Sequence, residues 1–372
     1  MGQYKPLGAF RLLLSAMVVF QHFGTNFAPI SIKGIAFPLE TGTIAVAVFF
    51  LVSGFVIIEA VERFYFQRPI AFLANRSVRI FPMFVIALAI AICIEMTLRH
   101  AVPGFAIAQN ASQPQKFFAT EILLNVAMVF DSLNLFKVYA DHPFIESAWT
   151  LRQEYFFYIV VFLAMILSAK RDRSMYRKVL GAMCILFFAA FIADYKFSLS
   201  NHSLEYAPFF IFGGAWYYVA ERQASKVVVA ILLASAAGII WQQYARLMVP
   251  TWYARDSVSQ MVMLLALIAV FCVLSKASLG KASAAKAVDA KLGDLTFSLY
   301  LNHQIVLTTF ALLFKPSIST FLGGIAVSIA FSWVIHAIFE PSIAILRNKI
   351  RGGNLKEIAA QNRSVMPHLT PD

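Results

Sequence analysis

Arg11 and His22 stand eleven residues apart in one apolar run, Leu7 to Phe27, and their types suit two different tasks. An Arg presents a planar fork of donors that grips phosphate, whereas a His titrates near neutral pH and can take a proton from a hydroxyl. On a helix, eleven residues return to within roughly 20° of the starting face and rise about 16.5 Å. Arg11 can then stand at a membrane surface while His22 lies inside the hydrocarbon. Ser15 and Asn26 fall within roughly 60° of the same line, so a polar stripe runs down a helix otherwise built of Leu, Met, Val and Phe.

The elements that must carry this stripe follow from composition. A chain of 372 residues that is 60% hydrophobic and 13% charged, with 36 Phe, has too little polar surface for a soluble globule. The net charge of +12 is not pooled in a patch but recurs in short segments between apolar runs, which argues against nucleic acid as a partner. The fold class expected is all-α: a polytopic transmembrane helical bundle of about ten spanning helices. Ten segments have the roughly 17 to 25 residues a bilayer demands: 7–27, 42–62, 80–98, 148–168, 179–194, 204–221, 227–243, 258–275, 292–313 and 320–339. With the N-terminus inside, most of the 31 Lys and Arg residues lie inside too, among them Lys5, Arg63, Arg76, Arg79, Arg171, Lys286 and Arg347. Both termini are therefore expected in the cytoplasm, with Lys116 and Arg255 outside.

Residues 1–345 read as one membrane domain and 346–372 as a polar cytoplasmic tail. The first run is too long for a signal-peptide core and lacks a small-residue cleavage site, so it is expected to be retained. Phe117 to Phe130 is too short to span and reads as a re-entrant or interfacial helix. Cys93, Cys184 and Cys272 have no paired spacing and read as core residues; neither a disulfide nor a metal site is expected.

Further stretches join the first. Phe49-Phe50-Leu51-Val52-Ser53-Gly54-Phe55 sets a small pair inside an apolar helix, which permits close backbone approach. Arg76-Ser77-Val78-Arg79-Ile80-Phe81-Pro82 follows. Trp149-Thr150-Leu151-Arg152-Gln153-Glu154 opens another helix, Tyr300-Leu301-Asn302-His303 lies in a late one, and Phe339-Glu340-Pro341 ends the last. Taken in order, these resemble the acyltransferase 3 family of bacterial membrane-bound O-acyltransferases. The shared features are a ten-helix core, an Arg and a His eleven residues apart in the first helix, a Phe-Phe-x-x-Ser-Gly-Phe second helix and an Arg-x-x-Arg-Ile-x-Pro loop. A Trp-Ser-Leu-x-x-Glu helix and a late Tyr-x-x-His complete the set. Thr150 in place of Ser and the shortened Glu340-Pro341 ending depart from it. The resemblance implies a bacterial inner-membrane enzyme that moves an acyl group, acetyl first among them, from cytoplasmic acyl-CoA to a hydroxyl of an exported or lipid-linked sugar or polysaccharide.

Residue chemistry assigns roles that agree with that. His22 is the leading base and His303 the second candidate. Arg11, Arg76 and Arg79, with Ser53, are assigned to the acyl-CoA donor, because guanidinium forks match its phosphates. Glu154 is a charge inside a helix with Tyr158 on its face at i+4; it would orient a catalytic His or bind acceptor hydroxyls, or else form a structural ion pair between helices. Trp149, Tyr300 and Asn26 are the acceptor candidates, although Trp149 at that depth also suits an aromatic belt. Arg68 has no functional assignment. The competing class is a proton-coupled transporter, against which no inverted repeat or matching pair of Gly/Pro-broken helices appears.

Overall fold

The computed structural model describes residues 4–27, 30–32, 35–37, 40–101, 118–130, 144–169, 171–197, 202–248, 257–278 and 284–352. α1 (Gly8–Phe27) leads into a short antiparallel ribbon of β1 (Ile30–Ile32) and β2 (Ile35–Phe37), paired Ile30 to Phe37 and Ile32 to Ile35. Everything else of regular structure among the described residues is helical. α2 (Thr41–Ala60) runs into a π-helical turn, Val61–Tyr65, and is followed by α3 (Pro69–Ala101), α4 (Phe118–Phe130), α5 (Trp149–Leu167) and α6 (Arg173–Phe197). After a single turn at His202–Glu205 come α7 (Ala207–Ala220), α8 (Lys226–Met248), α9 (Ser257–Lys276), α10 (Ala284–Leu313) and α11 (Ile318–Arg351).

Among the described residues, seven helices are long and apolar enough to cross a membrane: Thr41–Tyr65, Pro69–Leu98, Glu146–Leu167, Arg173–Asp194, Lys226–Ala245, Val258–Lys276 and Ile318–Arg351. Three of the ten expected segments are not among these. α7 has 14 residues, short of a bilayer's width. α1 and α10 are long enough but carry Arg11, Gln21, His22, Asp289, Asp294, Asn302 and His303. All three can be short or polar because they bury their sides against other helices.

α2 is apolar all round and lies at the centre, as such a helix must. It meets α7 backbone to backbone: a Cβ on Gly54 would stand 2.2 Å from the Phe210 carbonyl oxygen, and one on Gly213 only 1.9 Å from that of Leu51. Ser53-Gly54 therefore does permit the close approach its composition suggests.

α1 and α10 pair by polar latches instead. Asp289 accepts from the backbone N–H groups of Gly8 (2.9 Å) and Ala9 (2.8 Å), satisfying donors that the start of α1 leaves free, and also from the Tyr4 hydroxyl (2.8 Å). Burial and that carboxylate push the Tyr4 hydroxyl well above the ordinary phenol range, so it remains a donor. One turn on, Gly293 lies against Gly8; a Cβ there would be 2.9 Å from the Gly8 Cα. Further along, the Ser15 hydroxyl donates to the Thr296 carbonyl at 3.0 Å. Gly8 with Asp289, Ser15 with Thr296, and His22 with His303 are each 281 positions apart. The two helices therefore run parallel and in register.

Charged residues gather at the end where α1 and α10 begin. Glu62, buried at 5% exposure, accepts from Arg173, Arg177 and Tyr218. Lys5 and Arg63 share Glu221, at 3.3 and 3.4 Å. Arg68 donates to the carbonyls of Ile350 and Arg351, the orphan acceptors at the end of α11, and Gly352 closes that helix in the left-handed region at φ 94°. α11 thus continues past the expected boundary at 345, and the tail beyond residue 352 lies outside the described residues, as do Lys116 and Arg255. α4 is helical where a non-spanning segment was expected and packs on α5. Cys93 is exposed, not a core residue, whereas Cys184 and Cys272 are half-buried.

Candidate active site

Among the described residues, a row of chambers lies between the helices, from the basic end to the opposite one. The inner chamber is lined by Glu59, Asn75, Arg76, Arg79, Arg347 and Arg351. It shares Val56, Arg76 and Arg79 with a central chamber, which also takes Arg11, Ser53, Thr150, Glu154 and Tyr300. Val46 and Tyr300 form the wall between the central chamber and an outer one that holds Gln21, His22, Glu146, Trp149, Tyr206 and Gln304.

Of the three candidate phosphate-binding arginines, all line the central chamber. None is hydrogen-bonded or ion-paired to another described residue, and Arg76 keeps a buried Nε without a partner at 5% exposure. Its guanidinium lies over the rings of Phe72 (5.9 Å) and Tyr158 (5.7 Å), within cation–π reach. Pro82, three residues after Arg79, cannot bond the carbonyl of Val78 and loosens α3 just beyond the pair. Arg347 belongs to the same cluster. It is paired with Glu340 at 3.2 Å and has a buried Nε without a partner. Guanidiniums with unused donors, in a chamber whose lining holds one carboxylate, Glu154, are chemistry that fits a polyanion such as the phosphates of coenzyme A.

Glu154 lies in this cationic chamber, not beside either histidine. Its carboxylate is hydrogen-bonded by Tyr158, the i+4 neighbour, and by Ser53 on α2 at 3.4 Å. Orientation of a catalytic His by Glu154 therefore has no contact to act through. Ser53 reaches the chamber and that carboxylate together.

The histidines meet at the far end of the latched pair. His22 Nδ1 stands 3.1 Å from His303 Nε2, with ring centroids 5.1 Å apart. His303 and its neighbour Asn302 are fully buried, and His303 Nδ1 lies 3.2 Å from the Leu299 carbonyl one turn back. Gln304 reaches His22 Nδ1 at 2.7 Å. His22, half-buried, faces the outer chamber and His303 stands behind it.

Tyr300 separates the central and outer chambers, and Trp149 lies with Tyr206 at 5.6 Å between centroids on the wall opposite His22, so Trp149 faces a chamber in addition to any belt it forms. Asn26 is a correction. It is exposed and its amide turns back to donate to the His22 carbonyl at 2.7 Å, the ordinary i−4 bond of such a side chain. Gln21 was not singled out from sequence. Its side-chain oxygen accepts from the Gly42 and Thr43 N–H groups, which caps α2 and joins it to α1.

Helices, chambers and residue pairs define a membrane protein with a cationic cavity next to a histidine cavity, Tyr300 between them. The family model of an acyltransferase domain matches residues 7–337, and the chain belongs to the acyltransferase 3 family; it is a membrane acyltransferase. No curated protein and no solved structure matches it.

Proposed function

We propose that this protein is a bacterial inner-membrane O-acyltransferase that transfers an acyl group, acetyl first among them, from cytoplasmic acyl-CoA to a hydroxyl of an exported or lipid-linked glycan. The observation that carries the reading is the chain of chambers: unpaired arginines at the basic end, His22 at the other, and Tyr300 between. Arg11, Arg76 and Arg79 bind the donor's phosphates, and the arm bearing the thioester extends toward His22 through about half of the ~30 Å hydrocarbon core. Trp149, Tyr206 and Tyr300 offer ring faces to a sugar, and Gln21 and Glu146 offer polar atoms.

In the reaction, His22 takes the proton of the acceptor hydroxyl as its oxygen bonds to the thioester carbonyl carbon. The carbon–sulfur bond breaks, and the sulfur leaves with the proton that His22 returns. Ten helices cross the membrane on this reading, α1, α7 and α10 being interior members of the bundle, and both chain ends face the cytoplasm with the basic end.

Purified protein in proteoliposomes, given acetyl-CoA and an acceptor glycan, should release free coenzyme A thiol in proportion to acceptor. A proton-coupled carrier would release none, and that result would sink the enzyme reading. Orientation is tested separately with an impermeant thiol reagent on whole cells. A cysteine placed at exposed Asn26 should label and one at exposed Arg68 should not.

A further inference from the structure

The Leu299 carbonyl can only accept a hydrogen bond, and it fixes the polarity of everything beyond it. Facing it at 3.2 Å, His303 Nδ1 must carry a hydrogen, so in the neutral ring Nε2 carries the lone pair. A second proton on this fully buried ring would be a charge without a carboxylate partner among the described residues. Nε2 faces His22 Nδ1 at 3.1 Å, and two lone pairs at that distance repel, so His22 Nδ1 carries a hydrogen in turn. Gln304, 2.7 Å from the same nitrogen, then meets it with its amide oxygen; a half turn of the amide exchanges oxygen and nitrogen.

We infer that His303 and Gln304 are positioning residues that hold His22 in the Nδ1–H tautomer, which leaves the Nε2 lone pair as the one a hydroxyl in the outer chamber meets. A free neutral imidazole favours the opposite tautomer. There the Nδ1 lone pair would face that of His303 Nε2 at 3.1 Å and could accept only from Gln304, and the chamber would face an N–H that can take no proton. This assignment rests on the reading of His22 as the base. When Nε2 takes the hydroxyl proton, the ring becomes a cation and its Nδ1–H bonds to His303 and Gln304 become charge-assisted, until the proton passes to the departing sulfur.

The test is nitrogen NMR of the full-length protein in nanodiscs with labelled histidine rings, His22 being assigned by the signals that His22→Gln removes. His22 Nδ1 should resonate as a protonated, pyrrole-type nitrogen and Nε2 as an unprotonated, pyridine-type one. Replacing both partners, with His303→Ala and Gln304→Leu, should move the ring toward the opposite tautomer. In turnover, His303→Ala should lower kcat about 10- to 100-fold, the usual scale for losing a group that orients a reactive His, with KM for acetyl-CoA unchanged. His303→Gln, which restores an acceptor oxygen, should recover part of that loss. A protonated Nε2 on His22 in the unmutated protein overturns the inference whether or not the variants fold. A correct tautomer in a protein that releases no coenzyme A leaves the positioning intact and overturns the enzyme reading instead.

Discussion

Two helix pairs hold this molecule together, and they are built on opposite principles. α2 and α7 touch through Gly54 and Gly213 with aliphatic and aromatic side chains on every side. α1 and α10 also begin on a glycine contact, Gly8 with Gly293, but continue through the Asp289 cap, the Ser15 bond and the histidine pair. Apolar packing fixes how near two helices come. Directional bonds at three points along the helices, each 281 positions apart, fix the register as well. On the proposed function, the pair that aligns the reacting groups is the one that is latched.

His22→Ala separates the two principles most widely. Turnover should fall about 10² to 10⁴-fold, the range for loss of a general base, with thermal stability in detergent nearly unchanged. His22→Gln keeps a hydrogen-bonding group in the bundle but no base, and should be as inactive. A stable, fully active Gln variant would move the base to His303. Gly213→Val attacks the other pair. Its Cβ would meet backbone rather than a movable side chain, so a loss of about 3 kcal/mol, the upper end for overpacking, is expected in thermal unfolding. A variant as stable as the parent would mean that α2 and α7 can part without cost.

Arg79→Ala should weaken acyl-CoA binding by about 1.5 to 3 kcal/mol, the scale of a charged hydrogen bond, with acceptor affinity unchanged; Lys should restore only part, lacking the fork. Equal calorimetric affinities for parent and variant would leave Arg79 as a topology signal. Asp289→Ala should cost about 1 to 2 kcal/mol, as capping losses do. Activity per folded molecule should fall as well, because the register of α1 on α10 loosens. Unchanged specific activity would show that Ser15 and the glycines hold the register alone.

Much of this was legible in the chain. The wet stripe of α1, the Tyr158 hydroxyl on Glu154, the Ser53-Gly54 contact and the gathering of basic segments at one end all follow from helical spacing or composition, which act locally. What was not legible depends on partners far away in sequence. Glu154 reads as a candidate for orienting a His because both are charges in apolar helices, yet the chamber it enters is set by α2 and α3. Asp289, Gln304 and Gln21 carry no local signal of their bonds, although Gln304 sits directly after a suspected His. Asn26 was misplaced because periodicity gives the face of a residue but not whether its amide satisfies its own helix. The count of apolar spans fell short of ten for a related reason. Length and hydropathy judge each helix against lipid, whereas the polar α1 and α10 and the 14-residue α7 bury their sides against other helices.

The register of α1 on α10 has a consequence for synthesis. α1 and α10 must lie side by side, and at about 5 to 20 residues per second the ribosome needs roughly 15 to 60 seconds to bridge the 281 positions between their paired residues. On the ten-helix reading, Arg11 and His22 are through that time already in or at the bilayer while Asp289 and His303 do not yet exist. A newborn chain therefore carries its polar stripe unmatched, a costly state inside lipid. Catalytic competence arrives as a late docking event, so truncations or stalls before α10 should yield inserted but inactive protein whose first helix is exposed to quality-control proteases.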